Sequence, residues 1–176
     1  MKMKSVLGLA IIWITAWGMS PSLPGVETPV AVSYAQQVQA QPVYGAPLEW
    51  LGNRAPDEAE SQALLSVLQD TRTGIAALEA FLKAHPDSAW APSVHFNLAE
   101  QLNHQGRRSQ ALTHWAAAWN GVKNDPSPKG QALAAQVFNS WTICLLGLGQ
   151  TEKLTLLFSE LNQLNLSLGP LAPRVN

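Results

Sequence analysis

Residues 91–122 read APSVHFNLAEQLNHQGRRSQALTHWAAAWNGV, and their pattern decides the fold. Leu98 and Leu102, then Ala111, Leu112, Trp115 and Ala118, recur at intervals of three and four, the period of one helix face. Gly106 separates the two stretches. Glycine alone takes a left-handed backbone without strain, so a glycine behind the last apolar residue is a stop signal. A first helix is predicted over residues 91–104, with Asp87 or Ser88 as its cap and Pro92 tolerated in its first turn. A partner helix is predicted from about Ser109, whose hydroxyl can cap it, to about Gly121 and Val122. The unit is a helical hairpin.

The same pattern recurs on either side. At a shift of 34 residues, Leu64, Leu68, Ala77, Leu78, Phe81 and Ala84 correspond to Leu98, Leu102, Ala111, Leu112, Trp115 and Ala118. At a shift of 43, Leu98, Leu102, Gly106, Leu112, Trp115 and Ala118 map to Trp141, Leu145, Gly149, Thr155, Phe158 and Leu161. The longer spacing falls on Asn124-Asp125-Pro126-Ser127-Pro128-Lys129-Gly130, a turn-forming stretch read as a loop between units. The third unit repeats the plan with Gly149 and Thr151, while the first turns at Thr71-Arg72-Thr73 without a glycine.

Leu98 with Ala99, Leu102, Gly106, Ala111, Trp115 and Ala118 resemble the signature of the tetratricopeptide repeat, in order. The sequence departs from that family at His95, where an aromatic is usual, at Leu154, where a small residue is usual, and in its late Pro126. The resemblance implies an all-α fold, a short α-solenoid of about three hairpins whose first helices line a concave groove. A second resemblance, carried by Ala89-Trp90-Ala91-Pro92-Ser93 within residues 77–97 and by residues 115–149, is to the helical N-terminal region of large secreted bacterial proteins with RHS-type repeats. It implies an alternative role as a segment of such a protein or of a wall or glycan binder.

Charge narrows the partners. The formal net charge is −1, and loss of Lys2, Lys4 and Glu27 with the first 35 residues would leave a slightly more acidic domain without a dense cationic cluster. Nucleic-acid binding needs concentrated positive charge to displace phosphate counterions, so that class is set aside. The single cysteine, Cys144, excludes an intramolecular disulfide and a cysteine-based zinc site. It lies in the apolar run Trp141-Thr142-Ile143-Cys144-Leu145-Leu146 and reads as a small buried hydrophobe.

Lys2 and Lys4 before the apolar run from Val6 to Met19 have the order and length of a secretory signal. Ser33-Tyr34-Ala35 offers a cleavage site after Ala35; a cut after Ser20 and retention of the run as an anchor are the alternatives. The expected organisation is a signal over residues 1–35, a flexible leader over 36–56, a helical repeat domain over 57–168 and a tail over 169–176. An exported, periplasmic or secreted module follows.

In such a module the groove would be lined by side chains that the core does not use. These are Gln62, Ser66, Gln69 and Asp70 in the first unit, Phe96, Glu100, Asn103 and His104 in the second, and Asn139 with Ile143 in the third. Most are uncharged and bond both ways, which suits a protein or extended peptide. Trp50, Trp90 or Trp119, if exposed, would stack on sugar rings. No catalytic, cofactor or metal site is expected. His95 and His104 point to opposite sides of one helix, His114 lies on the next and His85 in the preceding turn, so no pair shares the spacing that converges on an ion. Leu161, Leu164 and Leu166 would form an open apolar end at which two copies could associate.

Overall fold

The computed structural model describes residues 33–41, 44–52, 55–69 and 74–164. Among these residues there are helices and no strand: α1 (Tyr34–Gln39), α2 (Glu58–Gln69), α3 (Gly74–Ala84), α4 (Ala91–His104), α5 (Arg108–Val122), α6 (Pro128–Gly147) and α7 (Thr151–Gln163). The fold is all-α. From α2 onward each helix packs on its successor, α1 lies on α2, and α4 also touches α6 past the intervening α5.

Two helix ends share one chemistry. Gly106 and Gly149 take φ values of 76° and 65°. Just beyond them, the Arg107 N–H returns to the Leu102 carbonyl at 2.8 Å and the Gln150 N–H to the Leu145 carbonyl at 3.0 Å. Both glycines close the last turn of their helix by supplying the left-handed residue that these backward bonds require.

The caps differ from those expected. Trp90, not Asp87 or Ser88, is the N-cap of α4, and no side chain caps it. The Ser88 hydroxyl oxygen instead accepts from the Trp90 N–H at 3.1 Å, while its proton goes to the Glu60 carboxylate. α5 starts at Arg108 with Arg107 as N-cap, which places Ser109 inside the helix. The longer third spacing is only partly loop. Ser127 caps α6 by accepting from the Gly130 N–H at 3.0 Å, so Pro128, Lys129 and Gly130 form the first turn of a 20-residue helix. Proline fits there because the N–H it lacks would have had no partner within the helix.

The core is two clusters. Leu64, Leu65, Phe81, Leu82, Trp90, Val94 and Leu98 make one; Leu102, Ala111, Trp115, Ala118, Phe138, Leu145 and Leu157 belong to the other. Leu64 and Leu98 are completely buried, and Trp141, their counterpart in the third unit, is partly buried against the second cluster. Ala111, Trp115 and Ala118 are completely buried, their small and large side chains meshing where α4 and α5 cross. The outer units are looser: Ala84 and Thr155 are exposed, and Phe158 and Leu161 only partly buried.

Two expectations are corrected. The stretch read as a flexible leader is ordered where it is described: Val38, Leu48 and Leu51 are buried, and Tyr34–Gln39 is a helix with a capping box at Ser33. A cut after Ala35 would remove that cap, whereas one after Ser20 would leave α1 whole. The apolar end is also different, since Leu161 and Leu164 pack against the second cluster. Among the described residues, the large hydrophobic side chains that face solvent are Tyr44, Ile143, Leu146, Leu148 and Leu156. The run from Val6 to Met19, Leu166 and the tail lie outside the described residues; among those described, no helix is long and apolar enough to cross a membrane.

Candidate binding groove

Ser93, Asn97, Glu100 and His104 follow one another at intervals of four, three and four along α4, one helical stripe. Residues 44–51 run along this stripe in the opposite direction. The Tyr44 ring sits 5.2 Å from that of His104, near the end of α4, and the Leu51 N–H donates to the Ala89 carbonyl at 2.9 Å, just before its start.

Asn97 holds the main chain between these ends. Its Oδ1 accepts from the Gly45 and Ala46 N–H groups at 2.7 and 3.2 Å, while its Nδ2 donates to the Ala46 carbonyl at 2.9 Å and to the Ser93 carbonyl at 3.0 Å. An amide side chain can do this because it carries both donor and acceptor, and its second donor bond fixes its orientation on α4. One turn earlier the Ser93 hydroxyl accepts from the Glu49 N–H at 3.1 Å. Ser93 and Asn97 are both buried, and the bonds of Asn97 to Ala46 are shielded from water, while those at Gly45 and Glu49 are partly open to it.

Side chains complete the seat. Gly45 passes so close to α4 that a Cβ there would lie 2.8 Å from Glu100 Cγ and 3.1 Å from Phe96 Cε1. Glu49 pairs with Lys129 of α6 at 2.6 Å and accepts from the Gln39 amide at 2.6 Å. Lys129 also lies over the Trp50 ring, 4.6 Å from its centroid, and Trp50 meets Trp90 edge to face. The segment thus touches α1, α4 and α6 together.

The residues expected to line a groove divide accordingly. Gln62, Ser66 and Gln69 are exposed on α2, with the Ser66 hydroxyl bonded to the Ala63 carbonyl at 2.7 Å; Asp70 lies outside the described residues. Phe96 is not free for a partner: it is buried in the core beneath Gly45. Glu100 is half-buried and committed, accepting from Trp115 Nε1 at 3.0 Å. Asn103 is half-buried, and His104 and Asn139 are exposed. Beyond Asn139 on α6, Ile143 and Leu146 are 61% and 59% exposed. Ser93 and Asn97, which do the holding, were missed; the clue was a pair of bonding side chains four apart among apolar residues of a single helix.

Trp90 and Trp119 are buried and cannot stack on a sugar. Their indole N–H groups bond Ser61 Oγ at 3.3 Å and Glu160 Oε2 at 3.0 Å. Glu160 also holds Lys123 at 2.5 Å, and that bond keeps its carboxyl below the usual range. Trp50 is half-buried.

The packing of α4 on α5 unites two histidines that the one-helix reading kept apart. His95 Nδ1 and His114 Nδ1 are 2.9 Å apart, and Glu79 Oε1 of α3 lies 3.7 Å from His114 Nε2. Burial, and then the neighbouring His114, lowers His95 to about 4. Burial also lowers His114, against the opposing pull of Glu79. Two neutral rings can share one proton at this distance. The carboxylate at Nε2 favours a hydrogen there on His114, which leaves its Nδ1 to accept from His95. Among the described residues no three His, Cys, Asp or Glu side chains are grouped to hold a metal ion. Cys144 is buried, and burial raises its thiol pKa.

No family model, curated protein or solved structure matches the chain.

Proposed function

We propose that the chain is an exported, non-enzymatic scaffold of tetratricopeptide-like hairpins that holds an extended segment of a protein along its inner helices α4 and α6. The observation that carries this reading is the two-way grip of Asn97 on the main chain at Gly45 and Ala46. A side chain that binds main chain rather than side chain is suited to a guest defined by its extended shape. The contact of α4 with α6 supports stacking of the second hairpin on the third, because the first helices of adjacent units in such an array are neighbours. On α6 the exposed stripe of Asn139, Ile143 and Leu146 offers apolar surface with one amide, the composition of a protein-binding face.

The test is a selection of displayed random peptides on the immobilised full chain. The scaffold reading expects enriched peptides whose affinity falls at least tenfold with Ile143→Glu and Asn139→Lys together, and is unchanged by Lys153→Glu on α7. Enrichment of nothing, or of peptides indifferent to the α6 changes, would contradict it.

A further inference from the structure

Resting on the scaffold reading, we infer that residues 44–51 are a built-in stand-in for the guest. The groove along α4 takes, from a partner, an extended segment of glycine, a small residue, any residue, leucine-like, acidic, aromatic and leucine-like, and this strap must leave for it to enter. The strap is held the way a ligand is held. Its main-chain groups bond to side chains of α4 and to the carbonyl of Ala89, rather than to a neighbouring strand or within a helix. Such bonds carry no sequence information, so another chain of the same shape can make them.

Sequence preference comes from the seats. At Gly45 the approach to Glu100 and Phe96 admits no Cβ without displacement. Ala46 is buried, so a large side chain would have no room there, while Pro47 is exposed and its place tolerates any residue. Leu48 enters the first core cluster and Leu51 the second, which gives two apolar anchors three residues apart. Between them Glu49 meets the Lys129 ammonium, and Trp50 lies beneath the same cation. The acidic and aromatic places are therefore read by one lysine.

Because the strap belongs to the same chain, its effective concentration at the groove is high, and a free guest competes only for the fraction of molecules with the strap released. Weakening the strap should therefore strengthen binding in trans, the opposite of what damage to a binding site does.

The probe is a fluorescein-labelled peptide with the sequence YGAPLEWLG, titrated by anisotropy into the full chain. Against wild type, Gly45→Val in the chain itself should raise the affinity for the probe at least tenfold, and adding Asn97→Leu should abolish it. A probe carrying valine at its own glycine should not bind either form. Glu49→Lys in the chain, at a part-exposed ion pair, is the milder release and should raise affinity about threefold if Gly45→Val fails to fold. Probe binding to neither released variant, with helical circular dichroism intact, overturns the inference. If displayed peptides bind through α6 while the probe binds neither released variant, the stand-in is refuted and the scaffold survives; if neither the displayed peptides nor the probe binds, both fall.

Discussion

Replacing Asn97 with leucine tests the grip on the strap and leaves the helix little altered. Leucine branches at the same atom as asparagine and carries bulkier ends, so the change opens no cavity on α4. It removes the acceptor for the Gly45 and Ala46 N–H groups and the donor to the Ala46 carbonyl. Gly45 is exposed and its N–H can turn to water; Ala46 is buried, and both its main-chain groups lose Asn97. Each buried group left unpaired costs about 1–3 kcal/mol. The sum is limited by the alternative of lifting the strap into water, which exposes Leu48 and Leu51 at about 1.5–3 kcal/mol each. A loss of about 2–6 kcal/mol follows, measured by urea unfolding with linear extrapolation. Limited chymotrypsin digestion of the native protein should at the same time open cuts at Tyr44 and Trp50. Asn97→Asp keeps both acceptor bonds but sets a carboxylate oxygen against the Ala46 and Ser93 carbonyls, so it should also loosen the strap. A cost for Asn97→Leu below about 0.5 kcal/mol with an unchanged digestion pattern would refute the reasoning.

Trp115→Ala removes a completely buried indole together with its bond to Glu100, and should cost about 3–5 kcal/mol by chemical denaturation; a value under about 1 kcal/mol would place that side chain outside the core. Acid should act through the histidine pair. His95 titrates at about 4 when folded and near 6.5 when unfolded, so the unfolded chain binds the extra proton first; stability is whole above pH 6.5 and declines as pH falls towards 4. Part exposure limits the effect to about 1–2 kcal/mol, and His95→Phe should flatten the profile between pH 7 and 4.5; an unchanged slope would exclude the pair as its source. Gly121→Val should lower Tm, since a Cβ there would lie 2.6 Å from Pro92 Cγ; overpacking of this kind costs about 1–3 kcal/mol, and an unaltered Tm would mean that α5 does not press on the start of α4.

The hairpins were legible because each is local. Leu98, Leu102, Ala111, Trp115 and Ala118 mark their faces by spacing alone, and Gly106 and Gly149 mark where the helices stop. The start of α6 was misread because proline and glycine signal a turn or a first helical turn equally well, and Ser127 capping Gly130 decides between them only in three dimensions. The strap was illegible for a different reason. Leu48 and Leu51 enter different core clusters, so the segment shows neither the period of a helix nor that of a strand. With the strap unseen, Phe96 and Glu100 looked available for a partner, while nothing in the spacing marked Asn97 and Ser93 as holding main chain. The histidine pair required the crossing of α4 and α5, which no spacing within either helix encodes.

Hydrogen–deuterium exchange of the native full chain at residues 44–51 bears most directly on the claim that α4 grips an extended segment. The amides of Gly45, Ala46, Glu49 and Leu51 should exchange slowly, with Ala46 protected like the interior of α4 and losing that protection in Asn97→Leu. Exchange of all four at the rate of an unstructured peptide, while α4 stays protected, would contradict it.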